Sequence, residues 1–294
     1  MIKVRVPASS ANLGPGFDTL GLALDLYNEF IFEEIEEGFE ILGFDERYTN
    51  KDNLVYRAME RTFEKIGYRV KGIRIEGHIN IPVSRGLGSS ASCILGGVLG
   101  ANEIAGSILS KDEIFQLAVD IEGHPDNISP ALFGGLTVSI MEENKPLYNQ
   151  FQIHKGLKFF ALVPDFTLST KEARAVLPNL IDYKEGISNV SRVALLLSAL
   201  ANGRFDLLKY GLKDKLHQPY RGELIPDFHN IIKKAEEFGG LGAFLSGAGP
   251  TIMCIIEEDD KDFPRMIKNY LMTLGNKWDT IEMNIDLKGS LRQV

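Results

Sequence analysis

The sequence predicts an α+β protein of two domains. Its 294 residues are enough for two ordinary hydrophobic cores. Residues 72–81 place Ile73, Ile75, Ile79 and Ile81 on one parity, the period of a half-buried strand. A glycine-rich loop then leads into Ala91, Ile94, Leu95, Val98, Ala101 and Ala105 at helical spacing. In the second half, strand and helix patterns alternate with connections of antiparallel size. Composition changes character over residues 150–156, which divides the chain into an N-terminal domain of 1–155 and a C-terminal domain of 156–294.

In order, Ile2, Val4 and Val6 form a strand stopped by Pro7. Residues 7–18, dense in Ser, Asn, Gly and Pro, read as a loop, followed by apolar residues 20–26 and a strand over 28–35 with Phe30 and Phe32 on one face. Asp52 or Asn53 caps a helix that turns Leu54, Val55, Ala58, Met59, Phe63 and Ile66 inward and ends at Gly67. Ser110-Lys111-Asp112-Glu113 is a capping box opening a helix that stops at Gly123. A strand over 133–140 and a turn over 142–146 follow. The second half opens with a strand over 158–163 ended by Pro164 and a short helix capped by Thr170. Helices over 187–201 and 205–216, a turn over 218–222 and a helix over 227–238 come next. Strands at 242–245 and 252–256 flank a second glycine loop, before a helix to Leu274 and a strand over 280–285. This order suits a ferredoxin-like unit.

Hydrophobic content of 44% and charged content of 24% belong to a soluble globular protein. A formal charge of −8 without a long Lys/Arg cluster argues against nucleic acid or an anionic membrane as main partner. The N-terminus shows no apolar signal region, and the longest apolar run, 193–201, is far short of a membrane span, so a cytoplasmic protein is expected. Cys93 and Cys254, in a helix and a strand, read as buried reduced thiols.

The central loop comprises Pro82, Val83, Ser84, Arg85, Gly86, Leu87, Gly88, Ser89, Ser90, Ala91 and Ser92. Gly86 and Gly88 allow positive φ and close backbone approach, and Ser89 and Ser90 can cap the helix behind them. A helix N-terminus has free amides and partial positive charge, which suits phosphate. By itself the loop is open between a phosphate site and a plain turn; it matches neither G-x-x-x-x-G-K-[ST] nor G-x-G-x-x-G. Asn12 and Asp18 are open between ligand contacts and local Asx turns. Glu122, in a last helical turn, opposes the helix dipole unless a cation sits beside it, and His124, Asp126 and Asn127 crowd the turn that follows.

Three segments, Pro7 through Asp18, Pro82 through Ala91 and Leu245-Ser246-Gly247-Ala248-Gly249-Pro250-Thr251, resemble in order and spacing the three motifs of the GHMP small-molecule kinases. The continuation Leu20-Gly21-Leu22-Ala23-Leu24, the turn Glu122 through Asn127 and the segment Gln218 through Pro226 are similar to the homoserine kinase branch. The resemblance implies a ribosomal-S5-like N-terminal domain, a ferredoxin-like C-terminal domain and transfer of the γ-phosphoryl of ATP to the side-chain hydroxyl of L-homoserine, in threonine biosynthesis. Many such kinases are dimers, so a homodimer is expected. The resemblance further implies that the central loop grips ATP and that Asn12, Asp18, His124, Arg174 and Arg221 bind the amino acid. Ser90 and Glu122 would ligate Mg²⁺, and Thr170 and Asn127 would lie near the transferred phosphate. Asp126 is a candidate general base, and Arg174 can neutralise charge at the reacting phosphate. Only Gly123 separates Glu122 from His124, shorter than in several relatives.

The chemistry agrees: a carboxylate such as Asp18 suits an α-ammonium, an arginine fork suits an α-carboxylate, and phosphoryl transfer needs positioning and charge neutralisation. The rival readings are a kinase for another alcohol, such as mevalonate or phosphomevalonate, and a non-catalytic nucleotide-binding regulator on the same fold. A serine hydrolase is excluded by the lack of a nucleophile elbow with His and Asp partners.

Overall fold

Small residues at the start of the chain let strand continue where turn composition suggested a loop, and this decides how the two halves meet. The structure, a computed structural model, describes residues 1–293. Its strands are β1 (Ile2–Ala11), β2 (Leu20–Ile35), β3 (Gly38–Leu42), β4 (Gly72–His78), β5 (Leu136–Glu142), β6 (Lys145–Phe151), β7 (Leu157–Pro164), β8 (Gly242–Leu245), β9 (Ile252–Glu257), β10 (Trp278–Met283) and β11 (Leu291–Gln293). Its helices are α1 (Leu54–Ile66), α2 (Ser89–Ile104), α3 (Lys111–Glu122), α4 (Ile128–Phe133), α5 (Thr170–Ala175), α6 (Tyr183–Asn202), α7 (Leu208–Gly211), α8 (Gln218–Arg221), α9 (Phe228–Glu237) and α10 (Asp262–Leu271).

The first sheet runs β11-β1-β2-β4-β3, with β5 pairing on β2 and β6 on β5. β1 and β2 are antiparallel, their register shifting between Pro7 and Ala8, while β3 lies parallel to β4. Phe30 and Phe32, facing one way on β2, are fully buried with Val55, Ala58 and Met59 of α1 and Ile94, Leu95 and Val98 of α2. Each such large side chain contributes roughly 1.5–3 kcal/mol by burial. The second sheet is antiparallel, in the order β10-β7-β9-β8, and with its helices gives the βαββαβ arrangement of a ferredoxin-like unit. Phe160, Leu162, Cys254 and Ile256 face α9 and α10, whereas Phe159, Ala161, Met253 and Ile255 share a core with Leu20, Leu22 and Leu24 of β2. The two halves therefore pack through a common apolar layer.

Several local expectations change. Pro7 does not stop β1; a bulge absorbs it, and Ser9 and Ser10 continue the strand fully buried. Apolar residues 20–26 and the strand at 28–35 are one strand, β2. Ser89 and Ser90 do not cap α2: Gly88 is its N-cap at φ 71°, with no side-chain cap bond. Ser169, not Thr170, caps α5 through a capping box with Glu172. Residues 205–216 are a 3-10 turn and the short α7, because Asp214 captures the amides of Leu216, His217 and Gln218. The turn at 218–222 is the short helix α8. α4, β3, β6 and β11 lie where no element was expected. Cys93 and Cys254 are free thiols; Cys254 is buried as expected, whereas Cys93 is half-buried on the wall of a cavity, and desolvation lifts it to about 12.

Candidate active site

The sequence around Gly88 fixes the most unusual backbone of the site. In the left-handed region, an added Cβ at Gly88 would run into Ser9 of β1. Glycine lets α2 start against the first strand with no side chain over its opening amides. These amides face one end of a cavity of about 520 Å³, a size that suits a small ligand. Ser84, Arg85, Gly86, Gly88, Ser89 and Ser90 line that end. Pro82, Leu87, Ala91 and Ser92, also expected at the nucleotide, do not line it; Leu87, Ala91 and Ser92 are fully buried because α2 turns that side into the core. Arg85 donates Nε to the carbonyl of Pro164 and Nη2 to that of Asp165, tying the loop to the end of β7.

The second glycine loop, between β8 and β9, buttresses the first. Ser246 Oγ donates to the Gly86 carbonyl at 2.6 Å and lies 2.7 Å from Ser10 Oγ. Gly247 N donates to the Ala11 carbonyl, and Asn12 Nδ2 donates back to the Gly247 carbonyl at 2.9 Å. Asn12 Oδ1 in turn accepts from Asp18 N at 3.0 Å. Asn12 thus shapes the loop as well as lining the cavity.

The same cavity brings Asp18, His124, Asp126, Thr170, Arg174 and Arg221 together from both halves of the chain. Arg174 binds Asp18 through two parallel bonds, Nη2 to Oδ1 at 2.8 Å and Nη1 to Oδ2 at 3.1 Å. Arg221 is 2% exposed. Its Nε donates to the Ala173 carbonyl at 3.0 Å and Nη1 to the Gly247 carbonyl at 3.1 Å. Its Cζ lies 5.0 Å from the centre of the Phe17 ring, a cation–π contact. Burial, and then the like charge of Arg174, press it down to about 10, so it stays charged at neutral pH. Among the described residues no carboxylate lies within ion-pair distance of Arg221. Asp18, Asp126 and Asp214 act on it only through space, so its guanidinium has no direct ion-pair partner.

The turn after α3 supplies the remaining groups. Ser90 Oγ donates to Glu122 Oε2 at 2.7 Å, and burial holds the Glu122 carboxyl above its ordinary value, the Ser90 bond partly offsetting it. His124 Nδ1 lies 2.7 Å from Asp126 Oδ1. Burial works to lower His124, but that bond and the Asp126 charge prevail and hold the ring above its usual value. Asn127 Oδ1 accepts from Ser9 Oγ at 2.8 Å, which leaves its amide N–H groups for the cavity. Phe44, Tyr48, Asn53, Leu54 and Ile79 also line the cavity, beside the glycine loop. Apolar periodicity gave no sign of this for Phe44 and Tyr48, and Asn53 was legible only as the cap of α1, which it is.

The sequence profile of the GHMP kinases N terminal domain matches residues 53–135, and that of the GHMP kinases C terminal matches residues 196–269. A homoserine kinase of Clostridium botulinum is 55% identical over 291 residues, covering 99% of this chain and 98% of the relative. One from Clostridium beijerinckii is 50% identical, with coverage of 99% and 98%. The crystal structure of homoserine kinase from Cytophaga hutchinsonii superposes with a TM-score of 0.88 at 26% identity, over 99% of this chain and 97% of that one. The mevalonate kinase of Methanococcus jannaschii shares the fold, with a TM-score of 0.73 at 18% identity and coverage of 96% and 98%. Identity of this extent along nearly the whole length places the chain in the GHMP kinase family, where it belongs to the homoserine kinases.

Proposed function

We propose that this protein transfers the γ-phosphoryl group of ATP to the side-chain hydroxyl of L-homoserine, and so serves threonine biosynthesis. The observation that carries the reading is a single cavity with two complementary parts. One part is an uncapped helix N-terminus behind a glycine loop, the other a buried Arg221 without a direct ion pair, beside the Asp18–Arg174 pair. A triphosphate suits the first. An amino-acid zwitterion suits the second: its carboxylate meets Arg221 and Arg174, and its ammonium takes the place of a guanidinium N–H on Asp18.

Among the described residues no cluster of three or more His, Cys, Asp or Glu side chains is arranged to hold a metal alone. Mg²⁺ in kinases takes one or two carboxylates together with phosphate oxygens, and the Ser90–Glu122 couple fits that donor set. Ser90 and Glu122 would hold the ion, which when bound neutralises charge on the phosphate oxygens. The amides of Ser89 and Ser90, which line the cavity, would hold the phosphates, with Asn127 and Thr170 beside the transferred group. Asp126, 3% exposed, spends Oδ1 on His124 and acts through that ring. With Nδ1–H held by Asp126, Nε2 is left to accept the hydroxyl proton as the oxygen attacks phosphorus and ADP leaves. Arg174 serves binding and charge neutralisation together. We further propose a cytoplasmic homodimer.

A coupled ADP-release assay over a panel of alcohols tests the reading. L-homoserine is expected to be turned over with mevalonate inert. The reverse, or ATP binding without Mg²⁺-dependent turnover of any alcohol, overturns it.

A further inference from the structure

The segment from Asn12 to Asp18, whose two ends line the cavity, follows an unusual path. Asn12, Leu13, Gly14 and Asp18 have φ of 73°, 44°, 74° and 53°. Such backbone persists only where its surroundings over-determine it. The surroundings here come from the other half of the chain. His217, fully buried, places Nε2 2.7 Å from the Gly14 carbonyl, and Asn189 Nδ2 donates to the next carbonyl, Pro15, at 3.1 Å. Because a carbonyl only accepts, the proton of His217 is on Nε2; Nδ1 has no partner. Burial keeps this ring below the ordinary histidine value despite the nearby Asp214, so it is a neutral single donor.

Both donors are set by one carboxylate. Asp214 Oδ1 accepts from Asn189 Nδ2 at 2.8 Å and from Leu216 N, and Oδ2 accepts from His217 N at 2.8 Å and Gln218 N at 2.6 Å. His217 also stacks on Phe17 with ring centres 5.2 Å apart. Phe17 in turn lies beneath both Arg221 and Arg174, at 5.0 and 5.6 Å. The chain of contact runs from Asp214 through His217 and Phe17 to the two guanidinium forks.

We propose that Asn189, Asp214 and His217 are positioning residues for the phosphoryl acceptor: a buried polar hub that pins the consecutive carbonyls of Gly14 and Pro15 and so sets Phe17 and Asp18 against Arg174 and Arg221. The hub touches neither end of the cavity directly and acts only through the loop. It rests on the acceptor pocket proposed above, and it predicts a selective effect, on the acceptor rather than on ATP.

The test is steady-state kinetics of wild type, His217→Phe and His217→Gln, with thermal unfolding in parallel. Wild-type turnover of L-homoserine reads the function itself, and the variants read the hub. His217→Phe keeps a ring against Phe17 but strands the Gly14 carbonyl; homoserine KM is expected to rise at least about tenfold, with ATP KM within about twofold. His217→Gln carries an amide donor of similar reach and is expected to recover most of that loss. Equal rises in both KM values, an unchanged homoserine KM in folded His217→Phe, or no rescue by glutamine overturns the proposal. Should His217→Phe fail to fold, Asn189→Ala decides: it takes the Pro15 contact from the loop, together with its own bonds to Asp214 and Lys215 N, and a homoserine KM raised severalfold at constant ATP KM supports the hub, whereas wild-type kinetics refute it.

Discussion

Replacing Asp18 by asparagine separates what the Asp18–Arg174 pair does for the fold from what it does for the acceptor. The two side chains are 38% and 39% exposed, so solvent screens much of their attraction. Pairs of that kind contribute about 0–1 kcal/mol to stability. For a chain of this size that corresponds to a Tm change of no more than about 4 °C. Against the substrate ammonium, the same carboxylate makes charge-assisted bonds worth about 1.5–3 kcal/mol. At 1.4 kcal/mol per decade, loss of that interaction raises homoserine KM by about 10- to 150-fold. ATP KM should hold, because the contacts of Asp18 are with Asn12 and Arg174 and not with the glycine loop. Coupled ADP-release kinetics with each substrate varied, beside a melt of the same sample, make the measurement. A large fall in Tm with an unchanged homoserine KM would refute the assignment, making the pair a structural brace.

Arg221→Ala should raise homoserine KM far more than ATP KM, and should also lower stability by about 1–3 kcal/mol, because it strands the carbonyl of Ala173 while that of Gly247 keeps Asn12; denaturant titration beside kinetics reads both effects. Gly88→Ala forces a side chain into the left-handed region and towards Ser9, at a cost of about 1–2 kcal/mol before any clash. Its ATP KM should rise at least about tenfold with a smaller effect on homoserine. Glu122→Gln should shift the Mg²⁺ concentration for half-maximal velocity upward by roughly tenfold, and an unmoved Mg²⁺ titration counts against Glu122 as a ligand. Burial raises the thiols of Cys93 and Cys254 above the ordinary value of 9.0. The unfolded chain therefore loses these protons first: stability is full below pH 9 and falls above it, by up to about 1.4 kcal/mol per pH unit for each thiol. Urea titrations at pH 8 and 10.5 should show a smaller loss for Cys254→Ala than for wild type.

Where local chemistry decides, the sequence was readable. The α1 and α3 boundaries follow from Asn53, Gly67, the Ser110–Glu113 box and Gly123, all of which act within a few residues. Ser9 and Ser10 misled because serine favours turns in isolation, whereas here their small size lets β1 approach the Leu87 carbonyl and the Ser246 hydroxyl. The missed strands β3, β6 and β11 are short and lie at or beyond the sheet's margins, where few buried apolar residues leave little alternation to read. At the site, Asp18 and His124 stand out as polar groups in turn-rich stretches, whereas Arg174 and Arg221 are named through the resemblance to the GHMP kinases. Their arrangement could not be read. The Asp18–Arg174 bond joins positions 156 residues apart, and the hub around Asp214 is built from tertiary contacts alone.

The three glycine- and serine-rich segments are informative together because they touch, and the third stands between the other two. Ser246 has a single hydroxyl proton, which goes to the Gly86 carbonyl, so Ser10 must donate to Ser246. Thr251 N donates to the Arg85 carbonyl, and the Gly247 carbonyl receives both Asn12 and Arg221. The loop between β8 and β9 therefore fixes the phosphate end through Gly86 and Arg85 and the acceptor end through Asn12 and Arg221. It does so with backbone groups and one hydroxyl. Glycine is required for the close approach, and the distance between phosphate and acceptor is set by a segment with no ionisable side chain. In-line transfer tolerates little error in that distance. A rigid strap that references both substrates to one short piece of backbone meets the requirement without adding a charge to the site.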